Sequence, residues 1–312
     1  MRRTFFIVGP TATGKSDLAA DVASEIGAEI VSADAFQVYR GLDLLTAKPD
    51  VSTLAKAPHH LIGITPLHEE MNAEKYRRAA SRTIDEIHSR GKLAIVVGGS
   101  GLYVKALTHG LAPLPESDPK LREKLNAMSL DELRSRLIEL DSKAAGKIDM
   151  NNRRRVVRAV EICLLAQKPA SEVVALVADP GRPGSTIAAT GIFVLRNRED
   201  LYARINRRVE AMFESGVIEQ VRAAGEVSVT ASQMIGFHEI HHLLDGEMSI
   251  SQCIAAIQQA TRRYAKRQLT WFRRQTNFSP LNLSLLTHNE AGILLRTLSE
   301  RRQLSGFAQR DD

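Results

Sequence analysis

Over the first hundred residues, short apolar runs alternate with longer stretches of helical periodicity. TFFIV (Thr4 to Val8) is apolar and too short for a helix, so it predicts a strand. From Lys15 to Ile26 the apolar positions Leu18, Val22 and Ile26 recur one turn apart, which predicts one buried face of a helix. AEIVSA (28–33) predicts a second strand. Asn72 is suited to cap a helix running to Arg90, with Tyr76, Ala80, Ile84 and Ile87 on one face and Gly91 as its stop. LAIVV (Leu93 to Val97) is apolar at every position, as in a parallel strand covered on both faces. This alternation predicts an α/β fold with a doubly wound parallel sheet.

The rhythm breaks at LAPLPESDP (Leu111 to Pro119). KLREKLNAM, LDELRSRLIEL, RRRVVRAVEICLLAQ and ASEVVALV then follow in helical patterns, closed by the loop DPGRPGS (Asp179 to Ser185). A strand, IAATGIFVL, resumes the earlier alternation. The expected organisation is a core formed by residues 1–112 and 192–312, interrupted by a mainly helical insertion at 113–191. The last dozen residues, RRQLSGFAQRDD, are expected to be a frayed tail.

The chain has 312 residues, 44% hydrophobic and 25% charged, an ordinary composition for a soluble globular protein. No apolar run approaches the length needed to cross a bilayer, so no membrane association is expected. The N-terminal apolar run is far too short for an export signal and leads into a phosphate-loop pattern, which predicts a cytoplasmic location. Two cysteines, Cys163 and Cys253, sit in helical apolar contexts and are expected to be buried thiols. The net charge is +6, unevenly placed. Arg153 to Arg158 and Arg262 to Arg274 hold many cations and hardly an acid, which suits a polyanionic partner as well as a solvated helix face.

GPTATGKS (Gly9, Pro10, Thr11, Ala12, Thr13, Gly14, Lys15 and Ser16) fits G-x-x-x-x-G-K-[ST] between a predicted strand and a predicted helix. Such a loop turns backbone N–H groups and a helix N-terminus toward phosphate oxygens. Lys15 adds a point charge, and Ser16 is placed to hold Mg²⁺. An ATP-binding P-loop kinase needs a second acid at the end of a core strand. The strand Leu93 to Val97 runs instead into Gly98, Gly99, Ser100 and Gly101. Asp34, just beyond AEIVSA, is then the carboxylate best placed after a core strand. Its bland reading is a turn residue; its functional readings are a metal ligand or a base.

Nine blocks of the chain, in order, resemble the bacterial-type tRNA dimethylallyltransferases, also called tRNA isopentenyltransferases. They are GPTATGKS, SADAFQVYRGLDLLTAKP, APHHLIGI, VVGGSGLYVKAL, LPESDPKLR, NNRRRVVRAVEI, LYARINRRVEAMFESGVIEQV, MIGFHEI and TRRYAKRQLTWFRR. The chain departs from the family pattern at Leu44 and Leu45, at Gly63, and at Phe237 and His238. The resemblance implies transfer of a dimethylallyl group from dimethylallyl diphosphate to the exocyclic N6 amine of the adenosine on the 3′ side of the tRNA anticodon. It implies diphosphate bound at Gly9 to Ser16 with Mg²⁺ on Ser16. Lys15, Ser100 and Arg208 would serve the leaving group, and Asp34 would take the amine proton. A phosphate loop serves such a transferase without any nucleotide hydrolysis.

The same resemblance assigns tRNA contacts to Asp34, Ala35, Phe36, Gln37 and Ser100, with Gln37 reading the base edge. Arg122, Arg154, Arg155 and Arg158 of the insertion would hold the anticodon stem-loop. Gly236, Phe237, Lys266, Arg267, Trp271 and Arg273 would support it from the core, by stacking and phosphate contacts. A monomer is the default. A small-molecule kinase and a non-catalytic RNA-binding NTPase are the competing readings. HEIHH (His238 to His242) fits the zinc-protease pattern, but no third ligand follows at a familiar spacing, and the segment is expected to be structural. His59 and His60 are expected to be structural or RNA-facing.

Overall fold

The structure is a computed structural model describing residues 4–111, 114–175 and 189–304. Six parallel strands form one sheet in the order β3-β2-β4-β1-β5-β6. They are β1 (Thr4–Val8), β2 (Glu29–Ser32), β3 (His59–His60), β4 (Ala94–Gly98), β5 (Ala189–Leu195) and β6 (Ser279–Asn282). In β1 the side chains alternate between two apolar layers, as the pleat requires. Phe5 and Ile7 pack with Leu18 and Val22 of the helix Lys15–Ile26. Phe6 and Val8 face the opposite layer, with Tyr76, Ala80, Ile84 and Ile87 of the helix Ala73–Ser89. The sheet is therefore doubly wound, with the expected helices on both faces. Asn72 caps the second helix, accepting from the backbone N–H groups of Glu74 and Lys75 at 3.0 and 2.9 Å.

Strand β1 lies between β4 and β5, with Phe6 opposite both Val96 and Gly191. The expected boundary at residue 191 therefore falls inside a strand and needs correcting. Ala189, Thr190 and Gly191 pair with Thr4, Phe5 and Phe6, so they belong to the sheet. The chain divides into Met1–Gly110 with Ser185–Asp312 as one compact unit and Leu111–Gly184 as another. The loop expected at Asp179 to Ser185 lies outside the described residues. The final helix, His288–Leu304, extends four residues into the expected tail, its Ala291 and Leu295 buried against the face that holds Leu18 and Val22.

Two strands escaped the sequence pattern. β3 has two residues, too few to show any period. β6 carries Pro280, tolerated because this strand lies at the sheet edge.

In the unit Leu111–Gly184, the helices Pro119–Ala127, Leu130–Leu140 and Arg153–Ala166 bury Leu125, Leu133, Leu137, Val156 and Val160 in a core of their own. Cys163 is buried there and Cys253 in the sheet unit, both as free thiols. Among the described residues no helix is long and apolar enough to cross a membrane.

Candidate active site

Every parallel strand delivers its following loop to the same edge of the sheet, so the loops after β1, β2 and β4 meet there. The loop after β1 is the phosphate loop. It ends at Gly14, in the left-handed conformation (φ 88°) that starts the helix Lys15–Ile26. Thr13 Oγ1 and Lys15 Nζ both donate to the Pro10 carbonyl, at 3.0 and 3.1 Å. Lys15 is buried, and burial lowers its ammonium to about 8; Arg208 pushes the same way, while Asp34 and Asp17 oppose. Ser16 lies at the second position of the helix, and its hydroxyl makes no hydrogen bond among the described residues.

Three arginines clasp this loop. Arg196 Nε donates to the Thr13 carbonyl at 2.7 Å, Arg204 Nε to the Ala12 carbonyl at 2.8 Å, and Arg208 Nη2 to Thr11 Oγ1 at 2.8 Å. Arg204 and Arg208 are one turn apart on the helix Arg198–Glu214, which places both on the face turned to the loop. Arg208 is half-buried, but its Nε atom is buried and has no hydrogen-bond partner among the described residues. Burial and the like charge of Arg204 lower its acidity constant, while Asp34 opposes them. A guanidinium with an unused, buried donor beside a phosphate loop has the chemistry to bind an anion.

Asp34 follows β2. Its Oδ1 accepts from the backbone N–H groups of Phe36 and Gln37 at 2.9 and 3.3 Å, an Asx turn. Its other oxygen has no partner among the described residues. The turn reading and the base reading of the sequence are thus compatible, one for each carboxylate oxygen. Gln37 donates Nε2 to the Ala47 carbonyl at 3.0 Å, so part of its amide is committed to holding the neighbouring turn.

The loop after β4 joins them through Ser100. Its Oγ accepts from Ala35 N at 2.8 Å, and its own N–H donates to the Ala33 carbonyl at 3.1 Å. A side chain at Gly98 would bring Cβ to 2.2 Å from the Ala33 carbonyl oxygen. The position where a kinase would need its second acid is therefore closed to any side chain. Ser100 starts the helix Gly101–Thr108. A Cβ at Gly101 would reach 2.4 Å from the Trp271 indole, which covers the start of that helix.

Trp271 belongs to the long helix Ile250–Gln275, which also supplies Tyr264 and a residue that sequence reasoning missed, Gln268. Gln268 Oε1 accepts from Thr11 N at 2.9 Å, and its Nε2 donates to the Gly99 carbonyl at 2.9 Å. Burial of Tyr264, followed by the negative charge of Asp34, raises its acidity constant. Lys266, Arg267 and Arg273 are exposed on this helix, and Arg263 and Arg274 extend their stripe. The Arg267 guanidinium lies over the Tyr264 ring at 5.7 Å.

A cleft opens where these loops meet. Thr11, Asp34 and Arg208 form its polar end; Leu45, Met212, Met234 and Ile257 line it with apolar surface, beside Phe36 and Tyr264. Phe237, expected on the RNA side, is 7% exposed and belongs to the core with Ile240, Cys253 and Ile257. Gly236 is the left-handed N-cap of the same helix, Phe237–Leu244. Glu239 accepts from Gly236 N at 3.0 Å and His242 pairs with Glu247, so HEIHH is occupied by capping and a local ion pair. His60 pairs with the buried Glu29 at 2.8 Å, and His59 Nδ1 lies 2.8 Å from the Ala57 carbonyl, both within strand β3.

In the helical unit, Glu161 is fully buried. Its carboxylate accepts from Ser117 Oγ and Arg122 Nη2 at 2.7 Å each and from Arg158 Nη1 at 2.5 Å. Burial raises this carboxyl, but the hydroxyl and the two guanidiniums prevail and hold it below the usual range. Arg122 and Arg158 are thus partly committed to structure. Arg154 and Arg155 are exposed.

Fold and site together define a P-loop α/β protein whose phosphate loop is clasped by arginines beside a partly apolar cleft. A family model described as IPP transferase matches residues 37–275. The tRNA dimethylallyltransferase of Geobacter sulfurreducens is 44% identical over 276 residues, covering 86% of this chain and 88% of its own. The tRNA dimethylallyltransferase 1 of Citrifermentans bemidjiense is 43% identical over 273 residues, with coverage of 86% and 88%. The crystal structure of the full-length tRNA isopentenylpyrophosphate transferase from Bacillus halodurans superposes with a TM-score of 0.70 at 33% identity, covering 98% of this chain and all of that one. A eukaryotic dimethylallyltransferase acting on tRNA gives 0.73 at 25% identity, over 90% of this chain and 74% of its own. The chain belongs to the IPP transferase family.

Proposed function

We infer that this protein transfers a dimethylallyl group from dimethylallyl diphosphate to the exocyclic N6 amine of the adenosine 3′ to the tRNA anticodon, releasing diphosphate. The observation that carries this reading is the buried, unpartnered Nε of Arg208 in the same cleft as the free carboxylate oxygen of Asp34. The names of the relatives supply the chemistry that such a pair fits.

In the reaction, the C1–O bond of the allylic diphosphate breaks and its electron pair leaves with the diphosphate. The adenine amine forms the new N–C1 bond and gives up one proton. The phosphate-loop N–H groups, Lys15 and Arg208 bind the diphosphate and stabilise the charge that develops on it. Asp34 accepts the amine proton on the oxygen left free by its Asx turn. Ser100, held by Ala35 N, sets the height of the loop that meets the base. The apolar wall of Leu45, Met212, Met234 and Ile257 receives the five-carbon group and keeps water away from it.

Mg²⁺ suits this donor set: the unpartnered Ser16 hydroxyl and diphosphate oxygens are hard ligands, completed by water. When bound, the ion neutralises part of the leaving-group charge.

We assign tRNA binding to the exposed cations of the helix Ile250–Gln275 and to Arg154 and Arg155 of the helical unit, which would hold the anticodon stem-loop. The target adenosine leaves its stack to enter the cleft, as chemistry on a base requires.

The test is incubation of the purified protein with unmodified tRNA and either dimethylallyl diphosphate or ATP, followed by nucleoside analysis. Prenylated adenosine in the first reaction is expected. ATP turnover without any prenylated adenosine overturns the reading.

A further inference from the structure

We propose that Gln268 is a positioning residue that fixes the separation between the departing diphosphate and the accepting amine, so that the allylic carbon passes to nitrogen rather than to water. The proposal rests on the transferase reading above and concerns a residue that makes no contact with the reacting atoms of its own.

The geometry is a two-point brace. Gln268 is 5% exposed, and both ends of its amide are engaged with backbone. Its carbonyl holds Thr11 N in the phosphate loop, 257 positions away in the chain, and its NH₂ holds the Gly99 carbonyl in the loop after β4. Thr11 in turn receives Arg208 through its hydroxyl, and Gly99 precedes Ser100. One planar amide therefore spans the diphosphate side and the amine side of the cleft. Tyr264, one turn earlier on the same helix, lines the cleft together with Asp34 and Arg208. A Cβ on Gly99 would come within 2.3 Å of Gln268 Nε2, so the brace and its loop are fitted to each other with no slack.

A rigid spacer matters for this chemistry. An allylic carbon losing diphosphate is electrophilic toward any nearby nucleophile. If the two loops drift apart, water enters: its oxygen bonds to C1 as the C1–O bond to diphosphate breaks, one water proton passes to solvent, and dimethylallyl alcohol forms. A displacement of about an ångström costs about a hundredfold in rate for a reaction that depends on alignment.

The test uses Gln268→Met, which keeps length and bulk but removes both hydrogen bonds, with Tyr264→Phe as a milder variant lacking one hydroxyl. Transfer to tRNA, release of dimethylallyl alcohol and affinity for inorganic diphosphate are measured on each. For Gln268→Met the expected result is a kcat lower by about tenfold to a hundredfold, a rise in alcohol per prenylated adenosine, and diphosphate and tRNA affinities within about threefold of the parent. Tyr264→Phe shifts the same ratio less. An unchanged alcohol-to-transfer ratio in both variants overturns the proposal, as does a parallel loss of kcat, diphosphate affinity and thermal stability in Gln268→Met. Failure of the parent protein to prenylate tRNA would instead refute the transferase reading.

Discussion

Arg208 Nη2 donates to Thr11 Oγ1 at 2.8 Å while its buried Nε, on the same guanidinium, has no partner among the described residues. One end of the side chain is anchored to the phosphate loop, and on the proposed mechanism the other meets the charge that develops on the diphosphate. Arg208→Lys keeps the positive charge but loses the fork. The expected loss in kcat is about a hundredfold to a thousandfold, as for other donors aimed at developing charge. Single-turnover transfer with saturating dimethylallyl diphosphate measures it. A loss confined to KM would show that Arg208 only binds the ground state.

Asp34→Asn separates the two duties of the carboxylate. The amide oxygen can still accept from Phe36 and Gln37, so the Asx turn persists, but the side chain cannot take a proton. Transfer should fall about a hundredfold or more with tRNA affinity nearly unchanged. Asp34→Ala should lose the turn as well and weaken tRNA binding further. Equal activity of the Asn variant and the parent would remove Asp34 from proton transfer.

On the proposed assignment of Lys15 to the diphosphate, binding should be sensitive to alkali. Its ammonium has an ordinary value of 10.5 and is lowered to about 8 here, chiefly by burial. The charged form binds the anion, so affinity for inorganic diphosphate should weaken as pH rises through about 8, and Lys15→Met should flatten that response. Stability moves in the opposite sense. Between about 8 and 10.5 the unfolded chain holds the proton that the folded chain has lost, so this group adds stability as pH rises across that window. Calorimetric titration of diphosphate and thermal melts over the same pH range test both signs.

In the helical unit, two pairs of arginines should behave differently. Arg154→Gln with Arg155→Gln removes exposed charge, so the salt dependence of tRNA binding should lessen by about one to two in log–log slope while the melting temperature stays put. Glu161→Ala strands two guanidiniums about one-third exposed, and should destabilise the unit by about 3 kcal/mol, the low end for a broken buried pair. A Glu161→Ala protein as stable as the parent would show that the pairs are surface ornaments.

The legible parts of the site were those encoded by contiguous residues. The phosphate loop, its flanking strand and helix, and the Asn72 cap each follow from local spacing, and their bounds agree with the structure to within a residue or two. Ser100 and Asp34 were visible as polar residues after core strands. Gln268 and Arg204 were not, because what qualifies them is proximity across the fold, and a glutamine or arginine within a basic helix carries no local mark of it. The burial of Phe237 was not legible either, because it depends on Ile240 and Ile257, which the fold brings against the ring.

Strand β1 has its two neighbours on opposite sides of the Leu111–Gly184 unit in the chain: β4 precedes that unit and β5 follows it. Synthesis from the N-terminus therefore delivers the phosphate loop early and its clasp of Arg196, Arg204 and Arg208 late, with Gln268 later still. A nascent chain holds the loop for most of its translation without the groups that shape it. The groups that shape the loop are complete only in the last fifth of the polypeptide, so a chain cut short before Gln268 carries the phosphate loop without its brace.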